Sequence, residues 1–284
     1  MIDDWDDAYA NAKYIPDGAS YPDRWTADAA AFRAEMIAGG RLDADIEYGP
    51  GPRNRLDMFL PDGPAKGLAV FVHGGFWQAF DKSTWSHFAR GAVENGWAAA
   101  LPSYTLAPTA RLTAMTQEIG AAVETLAARV EGPIRLAGHS AGGHLVTRMM
   151  CSDSPLSPDT RARLSHVLSI SGLHDLRPLT LAPKMNGVLK IDAAEARAES
   201  AALCDPLPTI ALTAWVGAAE RPEFIRQSEL LANVWAGCAV ETRLVIEPDL
   251  HHFNIVAGLA DRDSPITRAF VGADGWPDDG TRVS

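Results

Sequence analysis

Two spacings of apolar residues take turns along most of the chain. Short runs suited to buried strands occur at Asn54–Leu60, Gly67–Val72, Trp97–Pro102, Pro133–Ala137, His166–Ile170, Thr209–Val216 and Val240–Ile246. Between them, Trp85, Phe88, Ala89, Ala92 and Val93, and later Ile119, Ala122, Val123, Leu126 and Val130, recur every three or four positions. That is the spacing of one face of a helix. His144–Met150 predicts another helix, and residues 222–236 a long amphipathic one. Strands alternating with helices predict an α/β fold with a mostly parallel central sheet covered by helices on both faces. The turn Pro61-Asp62-Gly63-Pro64 predicts a leading antiparallel hairpin between the first two strands. Residues 1–43, with Tyr9, Tyr14, Tyr21, Trp25 and Phe32 among polar positions and a break at Gly39-Gly40, predict an N-terminal arm packing on a domain of residues 44–284. The proline-punctuated stretch 173–208 is the longest interruption of the alternation and is a candidate cap.

Composition narrows the choice of partners. A chain of 284 residues that is 47% hydrophobic has enough apolar material for one large core. The formal charge of -11 argues against nucleic acid or an anionic membrane, either of which needs clustered Lys and Arg. Three scattered cysteines, Cys151, Cys204 and Cys238, fit neither a disulfide framework nor a zinc site. The acidic start Asp3-Asp4-Trp5-Asp6-Asp7 is unlike an export signal, and no run approaches the roughly 18 apolar residues of a membrane span. A soluble cytoplasmic protein acting on a small molecule is expected, with room left for a homodimer.

The chemistry centres on Gly138-His139-Ser140-Ala141-Gly142, which fits the GxSxG nucleophile elbow between a buried strand and a helix. Ser140 is the candidate nucleophile. His73-Gly74-Gly75 follows an apolar strand, and glycine backbone there can approach a developing oxyanion. The N–H of Gly74 or Gly75, with that of Ala141, is the expected oxyanion hole. A base belongs past the last strand, where His251 and His252 stand side by side. For the acid, Glu220 ranks ahead of Asp175. Glu223 is explained by the start of a helix behind Pro222, and Asp249 by capping the next one. No metal or cofactor is required by this set. Phe76, Trp77, Tyr104 and His174 are candidates for an aromatic substrate pocket.

These motifs together, with Glu220-Arg221-Pro222-Glu223-Phe224 and His252-Phe253-Asn254-Ile255-Val256, resemble the arylformamidase (kynurenine formamidase) branch of the α/β-hydrolase superfamily over roughly residues 45–260. The resemblance selects His252 over His251 and implies an α/β-hydrolase fold. It also implies cleavage of an aryl formamide such as N-formylkynurenine to formate and an aromatic amine. Members of that branch commonly carry Asp where this chain has Glu220. The residues alone support ester or amide hydrolysis, so a short-chain carboxylesterase stands as the alternative, and a non-catalytic binding protein on the same scaffold as a third.

Overall fold

Eight strands build one sheet in the computed structural model, which describes residues 2–272: β1 (Leu42–Glu47), β2 (Arg55–Phe59), β3 (Leu68–Val72), β4 (Ala98–Pro102), β5 (Ile134–His139), β6 (Leu164–Ile170), β7 (Ala211–Gly217) and β8 (Thr242–Glu247). Their order is β1-β2-β4-β3-β5-β6-β7-β8, and every pair from β4 to β8 is parallel. β3 shows why. All five of its side chains are buried, Leu68, Val70 and Val72 in one apolar cluster and Ala69 and Phe71 in the other. A strand wet on neither face needs helices above and below, which parallel crossovers supply.

The expected hairpin does not form. β2 pairs antiparallel with β1 and β4, and β4 lies between β2 and β3. A local turn signal at residues 61–64 marks a reversal but cannot choose the partner. The fully buried β3 takes parallel neighbours on both sides. β1 was not legible as a strand because Asp43, Asp45 and Glu47 punctuate it. As an edge strand it carries that charge toward solvent, with a bulge between Asp43 and Ile46.

One face of the sheet is covered by α4 (Leu112–Ala127), α5 (Ala141–Arg148) and α9 (Pro222–Ala236), the last with the predicted bounds. The other carries α2 (Tyr21–Ala38), the segment Lys82–Ala89 running into α3 (Arg90–Glu94), and α10 (Pro265–Val271). Residues 173–208 contain the short helices α7 (Pro183–Leu189) and α8 (Ala193–Ala198) between two 3-10 turns. No helix among the described residues is long and apolar enough to cross a membrane. The chain after β3 winds to one side and, after β4, crosses to the other. The strand ends at β3 and β5 therefore flank a switch point, where open α/β sheets form their crevice.

The arm is tied to the sheet through Asp57 of β2, whose side chain is fully buried. Its Oδ1 accepts from Lys82 Nζ at 2.8 Å and from the Asp45 N–H at 2.9 Å, and its Oδ2 pairs with Arg33 of α2. Replacing Asp57 with Ala leaves Lys82, itself 8% exposed, without its buried counter-charge. Asp57→Ala is expected to cost about 3–5 kcal/mol in urea unfolding; a loss under about 1 kcal/mol would show that the network does not hold the arm helix in place.

Candidate active site

Four strand ends converge on one place. Ser140 follows β5, Ser171 follows β6, Glu220 lies in the turn after β7, and His252 lies past β8. Ser140 sits at φ 54°, ψ -115°, a region that L-residues rarely adopt. Close packing holds it there. A Cβ on Gly142 would lie 2.0 Å from the Val72 carbonyl oxygen, and one on Gly138 2.2 Å from that of Gly142. Both glycines of the motif are thus required by contact, and the Ser140 N–H donates to the Ile170 carbonyl at 2.8 Å.

The glycine loop after β3 presses against this turn. A Cβ on Gly74 would come within 2.9 Å of the His139 carbonyl oxygen and 3.2 Å of the Ser140 Cβ. Gly75, Phe76 and Trp77 take φ of 111°, 50° and 58°, which coils the loop so that the Gln78 and Ala79 N–H groups both donate to the Gly75 carbonyl. Ala141 opens α5, where a helix leaves its first N–H without an internal acceptor. The expected oxyanion residues are therefore adjacent to Ser140.

His252 Nδ1 meets Glu220 Oε2 at 2.6 Å. The other carboxylate oxygen, Oε1, accepts from the Ser171 hydroxyl at 2.5 Å and the Gly217 N–H at 3.0 Å. A carboxylate so held fixes the Nδ1–H tautomer of its histidine and leaves Nε2 free to act as a base. His139, next to Ser140, links the two halves: its Nε2 meets the His252 carbonyl at 2.9 Å and the two rings lie 4.6 Å apart. Ser140, His252 and Glu220 are all buried, at 2%, 3% and 8% exposure.

The structure brings Glu220, not Asp175, to the histidine. Asp175 pairs with Arg177 at 2.8 and 2.9 Å; burial alone would raise its carboxyl, but those hydrogen bonds hold it below the usual range. His251 turns to the arm, its Nε2 at 3.2 Å from the Tyr21 hydroxyl and its Nδ1 accepting from the Phe253 and Asn254 N–H groups. Glu223 is buried at the start of α9, where Tyr9, Arg226 and Gln227 donate to it. Asp249 caps no helix among the described residues; it occupies an exposed left-handed turn at φ 61°.

Of the four pocket candidates, Phe76 alone keeps partial exposure, and it lines a cavity of about 470 Å³ with Asp4, Asp6, Lys13, Gln78 and Lys184. Trp77 packs edge-on to His144, and Tyr104 stacks on His73 at 4.5 Å, each fully buried. His174 is equally enclosed and sits between Ser169 and Thr147 hydroxyls. Cys151, Asp153 and Cys204 place ligand atoms within 4.8 Å of one another. Arg148 donates to Cys204 and Asp153, so a cation already serves that cluster. Sequence reasoning missed His139 and Ser171. Their only signal was position, one inside the elbow motif and one just past the next buried strand.

A nucleophile elbow, a glycine loop and a histidine–carboxylate pair at the carboxyl ends of a mostly parallel sheet define an α/β-hydrolase. The family model BD-FAE matches residues 56–199, and the chain belongs to that family. It is 28% identical to kynurenine formamidase of Danio rerio over 245 residues, 80% of each chain. It is 26% identical to that of Drosophila melanogaster over 78% of each. The crystal structure of a thioesterase candidate from Silicibacter sp. tm1040 superposes with a TM-score of 0.88 at 46% identity, covering 93% of this chain and 97% of that one. Esterase B of Lactobacillus rhamnosis shares the fold at a TM-score of 0.67 and 18% identity over 90% and 93%. The chain thus falls in an arylformamidase-like branch of the α/β-hydrolases, close to esterases.

The histidines around the site titrate low. Burial pushes His73 and His144 down to about 4 and His174 to about 3, and burial together with His252 holds His139 well below its usual value. All four are neutral when folded, whereas an unfolded histidine takes up its proton near pH 6.5. The unfolded state therefore binds more protons, and stability falls as pH drops from about 6.5 toward 4. Burial lowers His87 to about 4 and His166 to about 3 as well, so urea unfolding at pH 7, 6 and 5 is expected to give a slope approaching about six protons from histidines; a flat stability over that interval would contradict their burial as neutral rings.

Proposed function

We propose that this chain is a serine hydrolase that cleaves a small acyl amide through an acyl-enzyme, acting on an aryl formamide such as N-formylkynurenine. The 2.6 Å contact of His252 with Glu220, beside a serine in nucleophile-elbow geometry, carries the reading. Kynurenine formamidase relatives that align with four-fifths of the chain support the substrate class. The near-complete burial of Ser140 favours a small acyl group.

His252 Nε2 takes the Ser140 proton as Oγ attacks the formyl carbon. The N–H groups of Gly74 or Gly75 and of Ala141 stabilise the resulting oxyanion. The same histidine then gives its proton to the leaving nitrogen, the C–N bond breaks, and the aromatic amine departs. Water attacks the formyl ester with His252 again as base, and as the Ser140 Oγ–carbonyl bond breaks the imidazolium returns that proton to Oγ, releasing formate and the free serine. Glu220 stays ionised and stabilises the imidazolium.

A second reading, cleavage of a short-chain ester or thioester, is favoured by the 46% identical thioesterase candidate. The test is a set of matched assays on purified protein with N-formylkynurenine, p-nitrophenyl acetate and a short-chain acyl thioester. The formamide is expected to give the highest kcat/KM; a value no better than that of either ester class transfers the assignment to esters. Ser140→Ala and His252→Ala should each lower kcat by about 10⁴-fold or more at unchanged Tm. Glu220→Ala should cost more than Asp175→Ala, and the reverse order would move the acid to the end of β6.

A further inference from the structure

The N-terminal arm supplies part of the site. Asp7 pairs with Arg221 at 2.8 Å, Asp6 accepts from the Lys184 and Met185 N–H groups of α7, and Tyr9 donates to Glu223 at 3.0 Å. These contacts lay Asn11, Tyr14 and Ile15 over Ala219, Glu220, Arg221, Pro222, His251 and His252, enclosing a cavity of about 130 Å³.

Almost every polar group around that cavity is spent. Both Glu220 oxygens are engaged, the Tyr14 hydroxyl donates to Asp7, and His251 is committed to Tyr21 and to backbone N–H groups. Asn11 is different. It is 4% exposed, yet neither its Oδ1 nor its Nδ2 has a hydrogen-bond partner among the described residues, and Arg221 Nε is likewise unpartnered. A buried amide left unpaired is unfavourable, so a site that retains one is suited to a ligand that completes it.

We infer that Asn11 is a specificity-determining residue that binds a carbonyl group on the leaving amine of the substrate. The inference rests on the proposed reaction, in which His252 protonates the leaving nitrogen. The leaving group must therefore lie against His252, and the cavity running from His252 to Asn11 takes its nearest substituent. Two unspent donor groups, Asn11 Nδ2 and Arg221 Nε, outnumber the single acceptor, Asn11 Oδ1. Their complement is an oxygen acceptor next to an N–H, as in an aryl amide with a carbonyl ortho to its nitrogen. A plain anilide has only its scissile carbonyl, which the oxyanion hole takes, and an alkyl ester has no N–H.

The probes are 2-formamidoacetophenone and formanilide, which differ by the ortho acetyl group. The wild-type protein is expected to favour the former in kcat/KM. Asn11→Leu, close to Asn in size, should lower that preference ratio by about tenfold, the value of one neutral hydrogen bond, with the change mainly in KM. Asn11→Asp keeps the size and polarity but removes the donor, and should lower the ratio as well, so the test survives if the Leu variant does not fold. A ratio that both folded variants leave unchanged, or a wild-type protein without preference, overturns the assignment. Ser140→Ala separates the two levels. If it hydrolyses both probes at the wild-type rate, the reaction itself is wrong; if it is inactive while the ratio ignores Asn11, only the role of Asn11 falls.

Discussion

A serine with φ near 54° and ψ near -115° does not hold that geometry on its own, and much of the site follows from what imposes it here. The imposition is steric. The Gly142 backbone lies so close to the Val72 carbonyl that no Cβ fits, and Gly74 in the loop after β3 closes against His139 and Ser140 of the same turn. These contacts exist only because β3 and β5 are adjacent and parallel, in register from Leu68 opposite Ile134 to Val72 opposite Gly138. The central strand pair thus sets the elbow, and the elbow in turn sets where a glycine loop and an imidazole can meet a reacting carbonyl.

His139 connects that backbone constraint to the histidine. It is buried and neutral, so its ring is able to donate from Nε2 to the His252 carbonyl. Phe224, the third residue of α9, packs against the His252 ring at 4.3 Å, and Tyr9 of the arm packs edge-on against Phe224. Rings from the arm, from α9, from the elbow and from the segment past β8 therefore form one stack around the imidazole. The arm thus packs against the ring that itself packs on His252.

What could be read from the chain was what repeats locally or is bounded by hard steric rules. Buried runs, helical spacing over 222–236 and the glycines around Ser140 belong to that class. The pairing of β2 with β4 did not, because it joins residues such as Leu56 and Pro102 that are far apart in sequence, while the turn at 61–64 speaks only for its own four residues. Ser171 and Asn11 were illegible for the same reason. Nothing next to them in sequence distinguishes a serine that donates to Glu220 from an ordinary turn serine, or a buried amide at a cavity from a surface asparagine. Trp77, Tyr104 and His174 show the converse: an aromatic near a motif reads as a pocket residue until its full burial is seen.

The resemblance to arylformamidases implies Asp at the position of Glu220, and the extra methylene of Glu is accounted for by the local fold. The carboxylate folds back over its own turn, so that Oε1 accepts from the N–H of Gly217 three residues earlier while Oε2 reaches His252. The Ala219 N–H in the same turn donates to the Leu250 carbonyl, which ties the acid loop to the segment carrying the histidines. Gly217 permits that contact: a Cβ there would lie 2.0 Å from the Leu250 carbonyl oxygen. The longer side chain is therefore accommodated by looping it, with Ser171 as a second clamp. Such an arrangement removes the rotamer freedom that would otherwise make Glu a poorer orienting group than Asp.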